Sequence, residues 1–352
     1  MPRMTEIQIS IVLPNYNDAK YLPFALDSIL TQKMPPFEVI LIDDGSSDNS
    51  VEIMQRYAKK NPLFKIRVHE KNIGVVSTIN EVLGLINGTH VFFLASDDWI
   101  LPDFLSEAHP MLTQYPTAGF CSTGSWIAKE NNTNQLLPIL MNYPSKTPVF
   151  IPPHQAKKIL YQQDGWFAGN TTIHNVGYLR REKGFNKDLG SYADGFMYRV
   201  LASKYGCCFI PKRLSVWRIR KGAYSQTSTK NVTSMRQVAD ITDKLMDHQY
   251  ASLFPENLKR RMQSRLLYNL AKSMWRNQAK PTQDLLAVIK RNDTNIFTTY
   301  LLYGCLKFIS YLPKLNNLVG QILLLLFIKP FDMLNITKAY SRTFLFKHLP
   351  KT

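Results

Sequence analysis

Over the first hundred residues the hydrophobic positions switch repeatedly between two spacings. "IQISIVLPNY" is a near-continuous apolar and β-branched run that closes at Pro14, the pattern of a strand covered on both faces. "LPFALDSILTQ" follows, with Leu22, Leu26, Ile29 and Leu30 at helical spacing. The alternation continues through a second buried strand in "FEVILIDDGSSDNS", a helix in "SVEIMQRYAKK" and a third strand in "FKIRVHE". A helix in "VVSTINEVLGLIN", ending near Gly88, and a fourth strand in "HVFFLASDD" complete the series. Strand and helix in this order predict βαβ units and a mostly parallel, Rossmann-like sheet flanked by helices.

Three of these strands end in polar clusters: Pro14-Asn15-Tyr16-Asn17, Asp43-Asp44-Gly45-Ser46 and Ser96-Asp97-Asp98. Parallel sheets bind ligands at the carboxyl ends of their strands, so the clusters are expected to share one rim. The third is the most telling. Adjacent carboxylates repel each other unless positive charge stands beside them, so Asp97 and Asp98 mark either a solvated turn or a site for a divalent cation. No G-x-G-x-x-G follows the first strand, which excludes the usual dinucleotide fingerprint.

From 120 to 220 the signals are mixed. "NNTNQ" and "YPSKTPVFIPP" read as loops, the latter separating two parts of the fold. "SYADGFMYRVLASKYG" reads as a helix with Phe196, Val200 and Leu201 on one side, and "CCFIPKRLSVWRI" as a strand. Beyond 221 the pattern is mainly helical, with Leu258, Met262, Leu266, Leu270 and Met274 on one face of a basic segment. Charge follows the same division. Residues 1–220 hold 23 Lys and Arg against 19 Asp and Glu, whereas residues 221–352 hold 20 against 7. Such a basic excess suits an anionic membrane surface or nucleic acid, and no nucleic-acid-binding module accompanies it.

The ordered set "ISIVLPNYNDAKYLPFALDSILTQ", "FEVILIDDGSSDNS" and "EKNIGVVSTINEVLGLINGTHVFFLASDDWILPDFL" resembles family 2 glycosyltransferases, which are inverting enzymes of the GT-A fold. The likeness spans roughly residues 7 to 220. It implies a GT-A domain over 1–220, with a nucleotide-binding half at about 1–105 and an acceptor half at about 106–220. A basic, mainly helical region follows at 221–352. By resemblance, Pro14 and Tyr16 lie where an aromatic stacks on the donor base, and Asp44 where a carboxylate accepts a base N–H. Asp43 is expected to hold the turn. Asp98 is the implied ligand of Mn²⁺ or Mg²⁺, with Asp97 facing the ribose or supporting the metal through water. Ala95 and Ser96 stand where many members carry further acids.

By resemblance Asp194 matches the catalytic base, with Asp188 the runner-up and Ala193 replacing the usual Glu beside Asp194. In "LSVWRIRKGAYSQ", the resemblance makes Arg218, which fits a family arginine, Arg220 and Lys221 candidates for diphosphate contact, and Arg220 or Lys221 either meets that charge or is solvated. Trp166, Gly169 and Asn170 fall in the region that lines the acceptor side, where Trp166 either stacks on a sugar or belongs to the core. The resemblance therefore implies transfer of a sugar from a nucleotide diphosphate, by preference a UDP-sugar, to a hydroxyl of a glycan or lipid-linked acceptor in surface polysaccharide synthesis. Ala95 and Ala193 keep a second reading open, that of an inactive nucleotide-sugar-binding or scaffold protein working through its basic tail.

The amino terminus carries no signal-peptide pattern, so a cytoplasmic location is expected, with peripheral contact at the inner face of a membrane. The apolar run from Leu318 to Ile328 is 11 residues long, short of the about 20 that span a bilayer. It reads as either a core helix or an interfacial segment.

Overall fold

The computed structural model describes residues 6–139, 143–162, 166–224 and 232–256, with four further positions up to 263. The described residues divide into two compact units. The first comprises residues up to 160 together with 166–187 and 193–220, and the second comprises 161–162, 188–192 and the described residues from 221 onward.

The first unit is built on one ten-stranded sheet. Its strands are β1 (Ile9–Asn15), β2 (Glu38–Asp43), β3 (Phe64–Val68), β4 (His90–Phe93), β5 (Trp99–Ile100), β6 (Phe120–Lys129), β7 (Asn132–Pro138), β8 (Val149–Ile151), β9 (Thr172–Asn175) and β10 (Cys207–Ile219). The order across the sheet is β3-β2-β1-β4-β9-β6-β10-β5, with β7 added to β6 and β8 to β10. The β3-β2-β1-β4 block is wholly parallel. Antiparallel pairing enters with β9, which lies between β4 and β6. All six residues of β2 are buried, as its unbroken apolar run requires of a strand covered on both faces.

Helices α1 (Leu22–Leu30), α2 (Ser50–Lys60) and α3 (Val75–Val82) connect the parallel strands, as the spacing predicts. In α1 the buried positions include Leu22, Ala25, Leu26 and Ile29, one stripe of a 3.6-residue period, and a proline opens the helix. They join Ile9, Ile11, Leu13, Val39 and Leu41 in the main core, where each fully buried Leu or Ile contributes roughly 2 kcal/mol. Further helices are α4 (Phe104–Gln114), α5 (Pro153–Gln162, of which residues 153–160 belong to the first unit), α6 (Val176–Arg181) and α7 (Ala193–Tyr205) in the first unit, and α8 (Val232–Lys244) in the second. Phe196, Val200 and Leu201 of α7 are buried as expected.

Two segments depart from their sequence reading. "NNTNQ", expected as a loop, turns at Glu130–Asn131 and enters β7, which pairs antiparallel with β6. "YPSKTPVFIPP", also expected as a loop, contributes β8 at the edge of β10. Polar and proline-rich composition hid both, because each is a short strand stabilised by a long neighbour and not by its own pattern. Cys121, Cys207 and Cys208 are buried thiols. No helix among the described residues is long and apolar enough to cross a membrane. The apolar run at 318–328 lies outside the described residues, as does most of the amphipathic face that begins at Leu258.

Candidate active site

Parallel register brings the ends of β1 and β2 together, with Asn15 beside Asp43. Asp43 is fully buried and holds the turn: it accepts from Asn15 Nδ2 at 2.8 Å, from the Ser46 amide at 2.8 Å and from Ser46 Oγ at 2.6 Å. Asp44 points to the segment after β3. Its Oδ1 is 2.8 Å from His69 Nδ1 and accepts from the Ile73 amide at 3.0 Å, while Oδ2 accepts from the Gly74 amide at 2.9 Å. Gly45 makes this approach feasible. It has φ +75°, and a Cβ there would stand 2.7 Å from the carbonyl carbon of Lys71. Burial disfavours the charged form of His69, but the hydrogen bond to Asp44 and the charge of Glu81 outweigh it, leaving its pKa raised. Tyr16 is about half exposed at the same rim, beyond the partly buried Pro14.

The acid pair lies between β4 and β5, and β10 binds it from the other side. The main-chain N–H of Arg218 donates to Asp98 Oδ1 at 2.9 Å, and Arg218 Nε donates to the carbonyl of Asp97 at 2.8 Å. Asp98 is 4% exposed. Burial pushes its pKa well above the usual carboxylate range, and the adjacent Asp97 adds to the effect. Arg220 Nε donates to Asp97 Oδ2 at 2.6 Å, while its Nη2 meets both oxygens of Asp18 at 2.8 and 2.9 Å. Ser96 Oγ completes the cluster by donating to Asp18 Oδ2 at 2.7 Å.

Arg218 corrects an expectation. The sequence made it a candidate for diphosphate contact, but its side chain is 2% exposed and sits among Tyr21, Phe24 and Trp99, with ring centroids at 5.1, 4.8 and 4.8 Å. A guanidinium in that cage is held by cation–π attraction and braces the acid turn. Alternation along β10 explains the placement: Val216 and Arg218 point inward, whereas Trp217 and Ile219 are exposed. Lys221 is exposed and belongs to the second unit.

Asp194 lies in the first turn of α7 and is partly exposed. Burial raises its pKa, opposed by the Gly195 N–H and by the charge of Arg199. Its Oδ1 accepts from the Gly195 amide at 2.6 Å. A Cβ on Gly169 would be 2.9 Å from Asp194 Oδ2, so the absence of a side chain there lets the carboxylate settle against the 169–171 turn. The next residue, Asn170, presents its side-chain amide to Asp98, favouring the charged carboxylate, and donates to Ser125 Oγ at 3.3 Å. Two adjacent residues thus stand against Asp194 and Asp98, the candidate base and the candidate metal ligand. Trp166 takes the core alternative: it is fully buried and meets the Phe167 ring edge-on at 5.1 Å between centroids.

Asp18 and the cage residues Tyr21, Phe24 and Trp99 escaped the sequence reading, which had placed Ser96 at the rim without its partner Asp18. Asp18 did carry a signal, as an acid just beyond the first strand's polar end. The cage carried none, since its rings come from α1, the residues before it, and β5. Asn80, in contrast, is structural, bonding to both main-chain groups of Phe185 at 2.8 and 2.6 Å.

Among the described residues no group of three or more His, Cys, Asp or Glu side chains is arranged to hold a metal ion. The donor set still suits a hard cation. Asp97 and Asp98 are adjacent carboxylates, and Asp97 Oδ1 has no partner among the described residues. Mg²⁺ is commonly bound by one or two carboxylates, with substrate phosphates and water filling the remaining positions.

The fold, a GT-A sheet with its polar rim at the strand ends, is shared with solved glycosyltransferases. TarS 1-349 of S. aureus in complex with UDP-GlcNAc aligns with a TM-score of 0.57 at 18% identity, covering 87% of this chain and 88% of that one. The mannosyltransferase PcManGT of Pyrobaculum calidifontis, in complex with GDP-Man and Mn²⁺, aligns with a TM-score of 0.51 at 19% identity, covering 89% and 88%. Residues 10–183 match the model of Glycosyl transferase family 2, and this segment of the chain belongs to that family. A chondroitin synthase of Escherichia coli is 35% identical over 95 residues, 27% of this chain and 14% of that protein. The chain spans between 10% and 49% of the length of the curated relatives it matches.

Proposed function

We propose that this chain is an inverting glycosyltransferase that moves a sugar from a nucleotide diphosphate, by preference a UDP-sugar, to a hydroxyl of a glycan or lipid-linked acceptor. The observation that carries the reading is the 169–171 turn, which sets Gly169 against Asp194 and Asn170 against Asp98. An acceptor-side base and a donor-side acid thereby meet one short segment, the positioning that a displacement reaction needs.

Asp194 Oδ2 takes the proton of the acceptor hydroxyl, whose oxygen bonds to the anomeric carbon as the bond from that carbon to the diphosphate oxygen breaks. Attack from the face opposite the leaving group inverts the centre in a single step, with no covalent enzyme intermediate. A carboxylate whose pKa is raised by burial is a better proton acceptor than a solvated one. Asp98 and Asp97 would hold Mn²⁺ or Mg²⁺, which neutralises diphosphate charge when bound. Asp44 uses three of its about four acceptor positions on His69, Ile73 and Gly74, leaving one for a base N–H, and the exposed ring of Tyr16 offers a stacking face. The UDP-GlcNAc and the Mn²⁺ of the two solved relatives support donor class and metal. The chondroitin synthase supports a glycan acceptor.

The test is calorimetric UDP binding with and without Mn²⁺, together with donor hydrolysis, on the wild type, Asp98→Ala and Asp194→Ala. Metal-dependent UDP binding that Asp98→Ala abolishes, with Asp194→Ala binding but not turning over, is the expected result. Absence of nucleotide binding by the wild type would overturn the reading.

A further inference from the structure

Arg220, read from the sequence as either meeting diphosphate charge or solvated, is instead paired inside the rim. Its guanidinium bridges two carboxylates from distant parts of the chain, Asp18 after β1 and Asp97 after β4. The three side chains are only 18%, 10% and 15% exposed. The guanidinium lies 4.9 Å from the Tyr21 ring centroid, and the Tyr21 hydroxyl is anchored 2.6 Å from Glu130. Without Arg220, three carboxylates (Asp18, Asp97 and Asp98) would share a poorly solvated rim where, among the described residues, Arg218, committed to its aromatic cage, is the remaining positive neighbour.

The two contacts use different nitrogens. Nη2 serves Asp18 through both of its oxygens, and Nε serves Asp97 through one. Breaking the Nε contact therefore need not release the side chain, because the Asp18 contact holds it in place. Asp18 is itself held by Ser96 Oγ, directly before the acid pair. A divalent ion approaching Asp97 meets a carboxylate already bearing a charge-assisted hydrogen bond, and a guanidinium that repels it at short range.

We propose that Arg220 is a displaceable internal counter-ion that competes with the divalent cation for Asp97, with Asp18 holding the guanidinium when Asp97 is surrendered. This rests on the reading of Asp97 and Asp98 as the cation-binding acids. Its consequence is an order of binding. In the nucleotide-free protein Asp97 is already paired with Arg220, and the acid pair holds the cation weakly. The diphosphate supplies additional oxygen ligands and a second partner for Arg220, so cation and donor enter together. Arginine suits the role better than lysine, since its planar fork can serve two carboxylates at once.

The experiment is a Mn²⁺ titration of the nucleotide-free full chain, following free Mn²⁺ by its electron paramagnetic resonance signal. The wild type is compared with Arg220→Gln, Arg220→Lys and Lys20→Gln. Lys20 is a nearby exposed cation paired with Glu130, and it controls for net charge. The expected result is at least a tenfold gain in Mn²⁺ affinity for Arg220→Gln, a smaller gain for Arg220→Lys, and less than twofold for Lys20→Gln. The proposal is overturned if Arg220→Gln binds Mn²⁺ no more tightly than the wild type, if Lys20→Gln gains as much, or if all four proteins leave millimolar Mn²⁺ free. Should Arg220→Gln fail to fold, Arg220→Lys alone decides, because a wild-type affinity in that variant also overturns the idea. UDP binding measured separately distinguishes failure of this competition from failure of the transferase reading.

Discussion

Asp98 Oδ1 accepts a hydrogen bond at 2.9 Å from the main-chain nitrogen of Arg218, a residue 120 positions further along the chain. The strand that supplies this donor also supplies the caged Arg218 side chain and leads directly into Arg220. The acid pair is thus as much a product of β10 as of the strand that precedes it in sequence.

Replacing Arg218 by Met keeps the aliphatic stem but removes the cation–π contacts and the bond to the Asp97 carbonyl. The expected loss is about 2 kcal/mol of stability, with UDP affinity falling at least tenfold as the turn loosens. Denaturant unfolding and calorimetry check both. Wild-type UDP binding in a destabilised protein would show that the cage serves stability alone.

Asp194→Asn preserves shape and removes the base. Turnover should fall by about 10²–10⁴-fold, the usual contribution of a general base, while UDP binding stays within twofold. Steady-state kinetics beside calorimetry separates the two effects.

Gly169→Ala would put a methyl group 2.9 Å from Asp194 Oδ2 and 3.6 Å from the Tyr198 hydroxyl. The carboxylate must move, and a displacement of about 1 Å costs on the order of 100-fold in rate. The expected signature is a lowered kcat with little change in donor KM.

Acid should unfold the protein through two buried histidines. His90 and His174 are each 1% exposed, and burial lowers their pKa values to about 4 and about 3. An unfolded histidine takes up a proton near pH 6.5, whereas the folded ones stay neutral. Stability is therefore complete above about pH 6.5 and is lost as pH falls toward the folded values. Between pH 6.5 and 5 each group costs on the order of 2 kcal/mol. His174 stacks on Tyr198 at 5.1 Å, so His174→Phe keeps an aromatic there and should flatten the acid limb of a stability–pH curve measured by denaturant unfolding. An unchanged limb would assign acid sensitivity to other groups.

The sequence by itself determined the parallel half of the sheet, its helices and the chemistry of its rim. β1, β2 and β4 are buried along nearly their whole length, so the apolar run and the polar end of each are written in consecutive residues, whereas β3 at the sheet edge buries only Phe64. Asp43 as the turn-holding acid, and Asp44, Asp97 and Asp98 as rim acids, were legible for that reason. Only tertiary structure decided what each carboxylate faces. Arg218 and Arg220 lie two residues apart on one strand, yet a cage of three rings buries the first, while Asp18 and Asp97 hold the second at the rim. Neither outcome has a local signature, because the rings and acids come from α1, the loop before it and the turn into β5. The short strands β7 and β8 were hidden for the same reason: their stability comes from neighbours far away in sequence, and their own residues read as loop.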